Sequence, residues 1–76
     1  MNNKRRDSLR STTVLLDNVS AAISRVLDEE QDSVDNIPEN LQYSENYERM
    51  EAAIEKLEEV IDKIDEIKEL IQEAAE

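Results

Sequence analysis

The chain has no cysteine, no histidine and no glycine, one proline (Pro38) and two aromatic residues, Tyr43 and Tyr47. Each absence removes a class of structure or chemistry. Without cysteine there are no disulfides, thiolate metal sites or cysteine nucleophiles. Without histidine or cysteine no hydroxyl has a conventional partner base, so its serines stay unactivated. Carboxylate metal centres in helical bundles require inward glutamates partnered by Glu-x-x-His, and that motif is absent. A chain with neither catalytic apparatus nor cofactor or metal is therefore expected. Phosphate-cradling loops and tight hairpin turns need glycine, so a P-loop or an all-β fold is disfavoured. Two aromatics in 76 residues leave an aliphatic core. No run approaches the ~18 apolar residues of a membrane span. The stretch after Lys4-Arg5-Arg6 is broken at Asp17 and Asn18, unlike a secretory leader, so the chain reads as soluble and cytoplasmic.

What remains is a small helix-forming composition of Leu, Ile, Val, Ala and Met in a background rich in Glu and Lys. A chain of 76 residues makes one small domain. It buries only about 60% of the surface that its unfolded form exposes. Disulfides and metals being absent, association is the remaining means of stabilisation. The net charge of −11 is unevenly placed. Lys4, Arg5, Arg6 and Arg10 against Asp7 give the first ten residues +3, while five basic and nineteen acidic residues give the rest −14. A body this acidic repels duplex nucleic acid and anionic membranes.

The C-terminal half carries the plainest periodicity. With Tyr43 at heptad position a, that row continues as Met50, Leu57, Ile64 and Ile71. Position d holds Asn46, Ala53, Val60, Ile67 and Ala74; position e holds Tyr47, Ile54, Ile61, Lys68 and Ala75. Positions b, c and f are almost all acidic or polar. An a/d seam suits a two-stranded coiled coil, whereas an a/d/e stripe is wide enough for two neighbouring helices. The pattern predicts a helix over about residues 43–75, capped by Ser44 with Glu45 and Glu48 in its first turn.

A second helix, over about residues 4–33, is written less strongly. Leu9, Thr12, Leu16, Val19, Ile23 and Val26 fall at a/d spacing, and Leu15, Ala22 and Leu27 widen the face. Ser11-Thr12-Thr13 and the β-branched residues lower its intrinsic propensity, so it needs a partner. Between the two, residues 34–42 contain Pro38, which pushes Ile37 out of the α region and can restart one helical turn. Val34, Ile37 and Leu41 would close that end. The expected fold is all-α: an antiparallel hairpin of two long helices assembling into a helical bundle or coiled-coil oligomer, a dimer being favoured. Its oligomer core would be Leu9, Leu16, Val19, Ile23, Val26, Met50, Ile54, Leu57, Val60, Ile61, Ile64, Ile67 and Ile71.

Three charged constellations invite a functional reading. Arg49, Lys56 and Lys63 occupy successive g positions and are expected to pair with acids across the seam, such as Asp17 or Glu29. Asp28, Glu29, Glu30 and Asp32 sit at a helix C-terminus, where acids oppose the dipole, and suggest a surface for a basic partner. They lack the glycine and ligand spacing of a calcium loop. The N-terminal Lys4, Arg5, Arg6 and Arg10, with Thr12 and Thr13, admit three readings. They pair with Glu66, Glu69, Glu73 and Glu76 across the hairpin end; they form an anion or nucleotide site; or the first residues are disordered.

The run Asp28-Glu29-Glu30-Gln31, followed by Asn36-Ile37-Pro38-Glu39-Asn40-Leu41-Gln42-Tyr43-Ser44-Glu45 and repeated Ile/Leu-Glu-Glu units, resembles a group of small acidic helical-hairpin proteins of bacteriophages and prophages. The resemblance spans about residues 15–72. Members often carry Glu-Arg-Gly-Glu after the serine, where this chain has Glu45-Asn46-Tyr47-Glu48. The resemblance implies a phage-type accessory protein that counters host defence by sequestering a nucleotide signal or a defence protein. A purely structural adaptor joining other proteins is the alternative.

Overall fold

The computed structural model describes all 76 residues as two helices and a connecting turn: α1 (Asn3–Asp35), one 3-10 turn (Glu39–Leu41) and α2 (Glu45–Ala74). The helices run antiparallel, giving a rod of 60 × 15 × 12 Å. Its radius of gyration, 17.5 Å, exceeds the roughly 11 Å expected of a spherical domain of this length. The all-α hairpin expected from the heptads is the observed fold.

Local sequence accounts for where each helix starts and stops. The Asn2 side chain accepts from the Arg5 amide at 2.9 Å, and Ser44 Oγ accepts from the Tyr47 amide at 3.1 Å. Such a cap is worth about 1 kcal/mol, because it satisfies one orphan amide of the first turn. Helices commonly end on a left-handed glycine. This chain has none and no residue with positive φ. Instead α1 tapers through Asn36 in right-handed conformation, with its amide on Asp32 O at 3.1 Å, the next amide, of Ile37, on Val34 O at 3.1 Å, and the Asn36 side-chain Nδ2 on Asp32 O at 2.9 Å. Pro38 (φ −58°, ψ 145°) then breaks the path, and the turn resumes with Leu41 N on Pro38 O at 2.9 Å. α1 runs about two residues past its expected end, to Asp35, and α2 begins at Glu45, about two residues after its expected start and directly behind the expected cap Ser44.

The sequence left open whether d or e joins a against the partner helix. The observed seam is a/e. On α1, with Leu9 at position a, it comprises Leu9, Thr13, Leu16, Ser20, Ile23, Leu27 and Val34, all half-buried or buried. On α2 it comprises Tyr47, Met50, Ile54, Leu57, Ile61, Ile64 and Ile71. Only Val34, Ile54 and Ile64 are buried, each 7% exposed. Two helices enclose no interior, so every seam residue keeps one edge in water. The d rows stay outside: Val19, Val26, Val60 and Ile67 are 47%, 52%, 39% and 45% exposed.

Register along the rod is pinned by two cross-helix contacts. Lys68 Nζ meets Asp17 Oδ1 at 2.5 Å, and Arg6 Nε donates to Ala75 O at 2.9 Å. The first holds the ammonium of Lys68 in its charged form, so its pKa is raised above 10.5, with Asp65 adding to the effect and partial burial opposing it. The Tyr47 hydroxyl is likewise raised above 10.0, first by its hydrogen bond to the Glu51 carboxylate and then by burial. Both groups hold their protons more tightly folded than unfolded. The stability they contribute is therefore complete below about pH 10 and is lost as pH rises through the folded pKa values. Helicity followed at 222 nm should fall above pH 10. Asp17→Asn should remove the part due to Lys68, leaving a shallower alkaline transition; an unchanged profile would show that the pair does not couple to folding.

Candidate functional site

The basic N-terminus does not converge on a pocket. Asn2 caps α1, so these first residues are helical, and Lys4, Arg5 and Arg10 are exposed around the first two turns while Arg6 is half-buried. Arg6 lies against the end of α2, on the Ala75 carbonyl, and its Nη1 reaches Asn3 Oδ1 at 3.2 Å. A guanidinium on the last carbonyls of a helix is a charge-assisted bond that also complements the dipole. Arg10 pairs with Asp7 at 2.6 Å. The expected pairing with Glu66, Glu69, Glu73 and Glu76 is corrected by this geometry: a backbone carbonyl takes Arg6, and Glu66 takes Lys63 on its own helix at 3.7 Å. The Thr12 and Thr13 hydroxyls donate to Ser8 O at 2.9 Å and Leu9 O at 3.1 Å, one turn back along α1.

The α2 cations also find partners other than those expected. Arg49 pairs with Glu45 at 2.6 Å, Lys56 with Glu59 at 3.8 Å and Lys63 with Glu66 at 3.7 Å, all along α2 and all exposed. Pairing across the hairpin with Asp17 or Glu29 does not occur, because the g row points away from an a/e seam. Asp17 takes Lys68 from the e row instead. Exposed pairs of this kind contribute little, a few tenths of a kcal/mol each.

The acidic cluster at the end of α1 wraps the helix rather than forming one patch. Asp28, Glu29 and Asp32 are exposed, while Glu30 lies on the a row and is half-buried beside the seam. Beyond it a shallow groove follows the hairpin, lined by Gln31, Val34, Asp35, Tyr47, Glu51 and Ile54. A second hollow, around Tyr43, Tyr47, Glu48, Glu51 and Glu55, continues it along α2. Nowhere do three or more carboxylates come close enough to hold a metal ion. No helix is long and apolar enough to cross a membrane.

No family model, curated protein or solved structure matches this chain.

The two broad flanks of the hairpin differ in character. In an antiparallel pair meeting through a/e, both b rows emerge on one flank and both d rows on the other. The b flank carries Asp17, Gln31, Glu51, Glu58 and Asp65, and the groove just described lies on it. The d flank carries the four exposed aliphatics Val19, Val26, Val60 and Ile67, with Leu15 and Leu70 beyond them on the g rows. Of the core residues expected from periodicity, Leu9, Leu16, Ile23, Met50, Ile54, Leu57, Ile61, Ile64 and Ile71 lie on the seam, whereas Val19, Val26, Val60 and Ile67 lie outside it. The division into two flanks could have been read from the same heptads, once the helices were taken to be antiparallel and joined through a/e.

Proposed function

We propose that this chain is a non-enzymatic binding protein that works as a helical bundle, with its apolar flank used for assembly and its acidic face turned to a basic macromolecular partner. The observation that carries the reading is the segregation of the two flanks on one small hairpin. The f row of α2 (Glu48, Glu55, Asp62 and Glu69) continues the acidic surface around the helix. A field of one sign steers and holds a surface of the other, and the resulting attraction weakens with salt. In the phage-type setting that the Asp28–Glu45 resemblance implies, such a partner is a host defence protein occupied by the acidic face. A nucleotide signal is less well supported, since Arg6, Arg10, Thr12 and Thr13 spend donors on the hairpin itself.

Affinity capture from a bacterial host lysate at low and high salt tests the reading. The comparison is a chain with Glu48→Gln, Glu55→Gln and Asp62→Asn. A host protein retained at low salt, released at high salt and lost with the neutralised variant is the expected result. Retention indifferent to both would refute the acidic face as the binding surface. A thermal shift with cyclic or linear nucleotides, abolished by Arg5→Ala or Arg10→Ala, would replace this reading with signal sequestration.

A further inference from the structure

From the apolar flank we infer that the hairpin is half of a four-helix bundle whose other half is a second copy of this chain, with the twofold axis parallel to the helices and both turns at the same end. This rests on the bundle reading of the previous subsection and adds the occupant, the face and the symmetry.

The surface area argues that the flank is covered. A folded chain of 8.8 kDa normally exposes about 4800 Å². This one exposes 5858 Å², an excess on the order of 1000 Å². A stable interface buries about 800 Å² on each partner, so covering one flank once accounts for the excess. The heptad positions argue that the cover is another helical pair. In a four-helix bundle a and d fill the core, e edges one neighbour and g the other. Within the hairpin a and e are already used. The apolar d row is left pointing where a bundle core would be, and g lies where a second neighbour would sit.

Charge selects a second copy and its direction. The Asp17–Lys68 contact fixes which residues share a height along the rod. Counting equal steps along each helix from that pair, Leu15 is level with Leu70 and Glu29 with Lys56; Val19 lies close to the level of Ile67, and Val26 to that of Val60. With the axis along the helices, α1 of each copy borders α2 of the other at unchanged height. Leu15 of one copy then meets Leu70 of the other across the g rows, and Glu29 meets Lys56. Four aliphatics from the two copies fill each of two successive d layers. The opposite choice, with the axis across the helices, sets α2 against α2. It brings the cation row Arg49, Lys56 and Lys63 against its own copy, which repels. The surface is thus complementary to itself in one orientation, as an isologous interface must be. Of the g-row cations, Lys56 finds its cross-seam acid here, between chains rather than within one.

The chain has no cysteine, so Asn40→Cys in the exposed turn gives a single attachment point for a spin label. Sedimentation is expected to show one species of twice the 8.8 kDa chain mass. Dipolar spectroscopy on the labelled protein is expected to give a separation of about 20–30 Å, two to three helix diameters. A separation near the 60 Å length of the rod would overturn the parallel axis. A monomer at 100 µM, or any stoichiometry other than two, would overturn the second copy as occupant. Acidic-face capture is scored separately by its salt dependence, so either idea can fail alone. Ile67→Asp is expected to weaken association at least a hundredfold. Glu29→Lys and Lys56→Glu should each weaken it about two- to fivefold, and the double exchange should restore it. Lys56→Glu strengthening the dimer would instead indicate the α2-against-α2 arrangement.

Discussion

Ile54→Ala should destabilise the fold by about 2–4 kcal/mol, among the largest effects expected of a single side-chain truncation in the chain. Ile54 is one of three buried residues and lies at the turn end of the seam, where Val34 on α1 is also buried. The lost methyl and ethyl groups take their transfer free energy with them, and the space they leave refills only in part. A chain of this length has a total stability on the order of 4–11 kcal/mol, so the truncation removes a large share of it. Urea unfolding followed by circular dichroism measures the change. Val14→Ala is the control: Val14 is 58% exposed, at an f position on the outer side of α1, and its truncation should stay within about 0.5 kcal/mol. Equal effects at Val14 and Ile54 would mean that the a/e seam is not the structural centre of the hairpin.

Much of this was legible in the sequence because helices write their faces at fixed spacing. The a row Met50, Leu57, Ile64 and Ile71 lies against α1, Ser44 caps α2, and Pro38 marks the break followed by one helical turn. The choice between d and e was not legible, since both rows of α2 are apolar and both fit beside a. A single hairpin can use only one of them, and the other is left for a second contact. The ion pairs were not legible either. Long side chains on a solvated surface take the nearest opposite charge, and for Arg49, Lys56 and Lys63 that charge lies three or four residues away on the same helix. Arg6 reached a backbone carbonyl because the end of α2 leaves its last carbonyls unpaired, a fact of helix termini that residue patterns do not record.

Ser20→Ala should act in the opposite direction, stabilising the fold by about 1–2 kcal/mol. Ser20 occupies an e position midway along the seam, and its hydroxyl is buried with no hydrogen-bond partner. Other hydroxyls of α1 behave differently: Ser8, Thr12, Thr13 and Ser33 each donate to the carbonyl four residues back. A buried hydroxyl without a partner has lost its water and gained nothing, and alanine removes that cost while improving helix propensity. The small side chain nonetheless has a use. By the Asp17–Lys68 register Ser20 is nearly level with Ile64, the buried isoleucine at the centre of α2. A residue of this size leaves a recess for Ile64 between the helices, and alanine preserves the recess. Ser20→Leu would fill it, displace Ile64 and cost about 1–3 kcal/mol through overpacking. Chemical denaturation of the two variants beside the natural chain separates the roles of volume and polarity. Stabilisation by alanine with destabilisation by leucine fits a recess lined by an unsatisfied hydroxyl. Loss of stability with alanine would mean that the hydroxyl is bonded in solution, to water or to the Leu16 carbonyl one turn back.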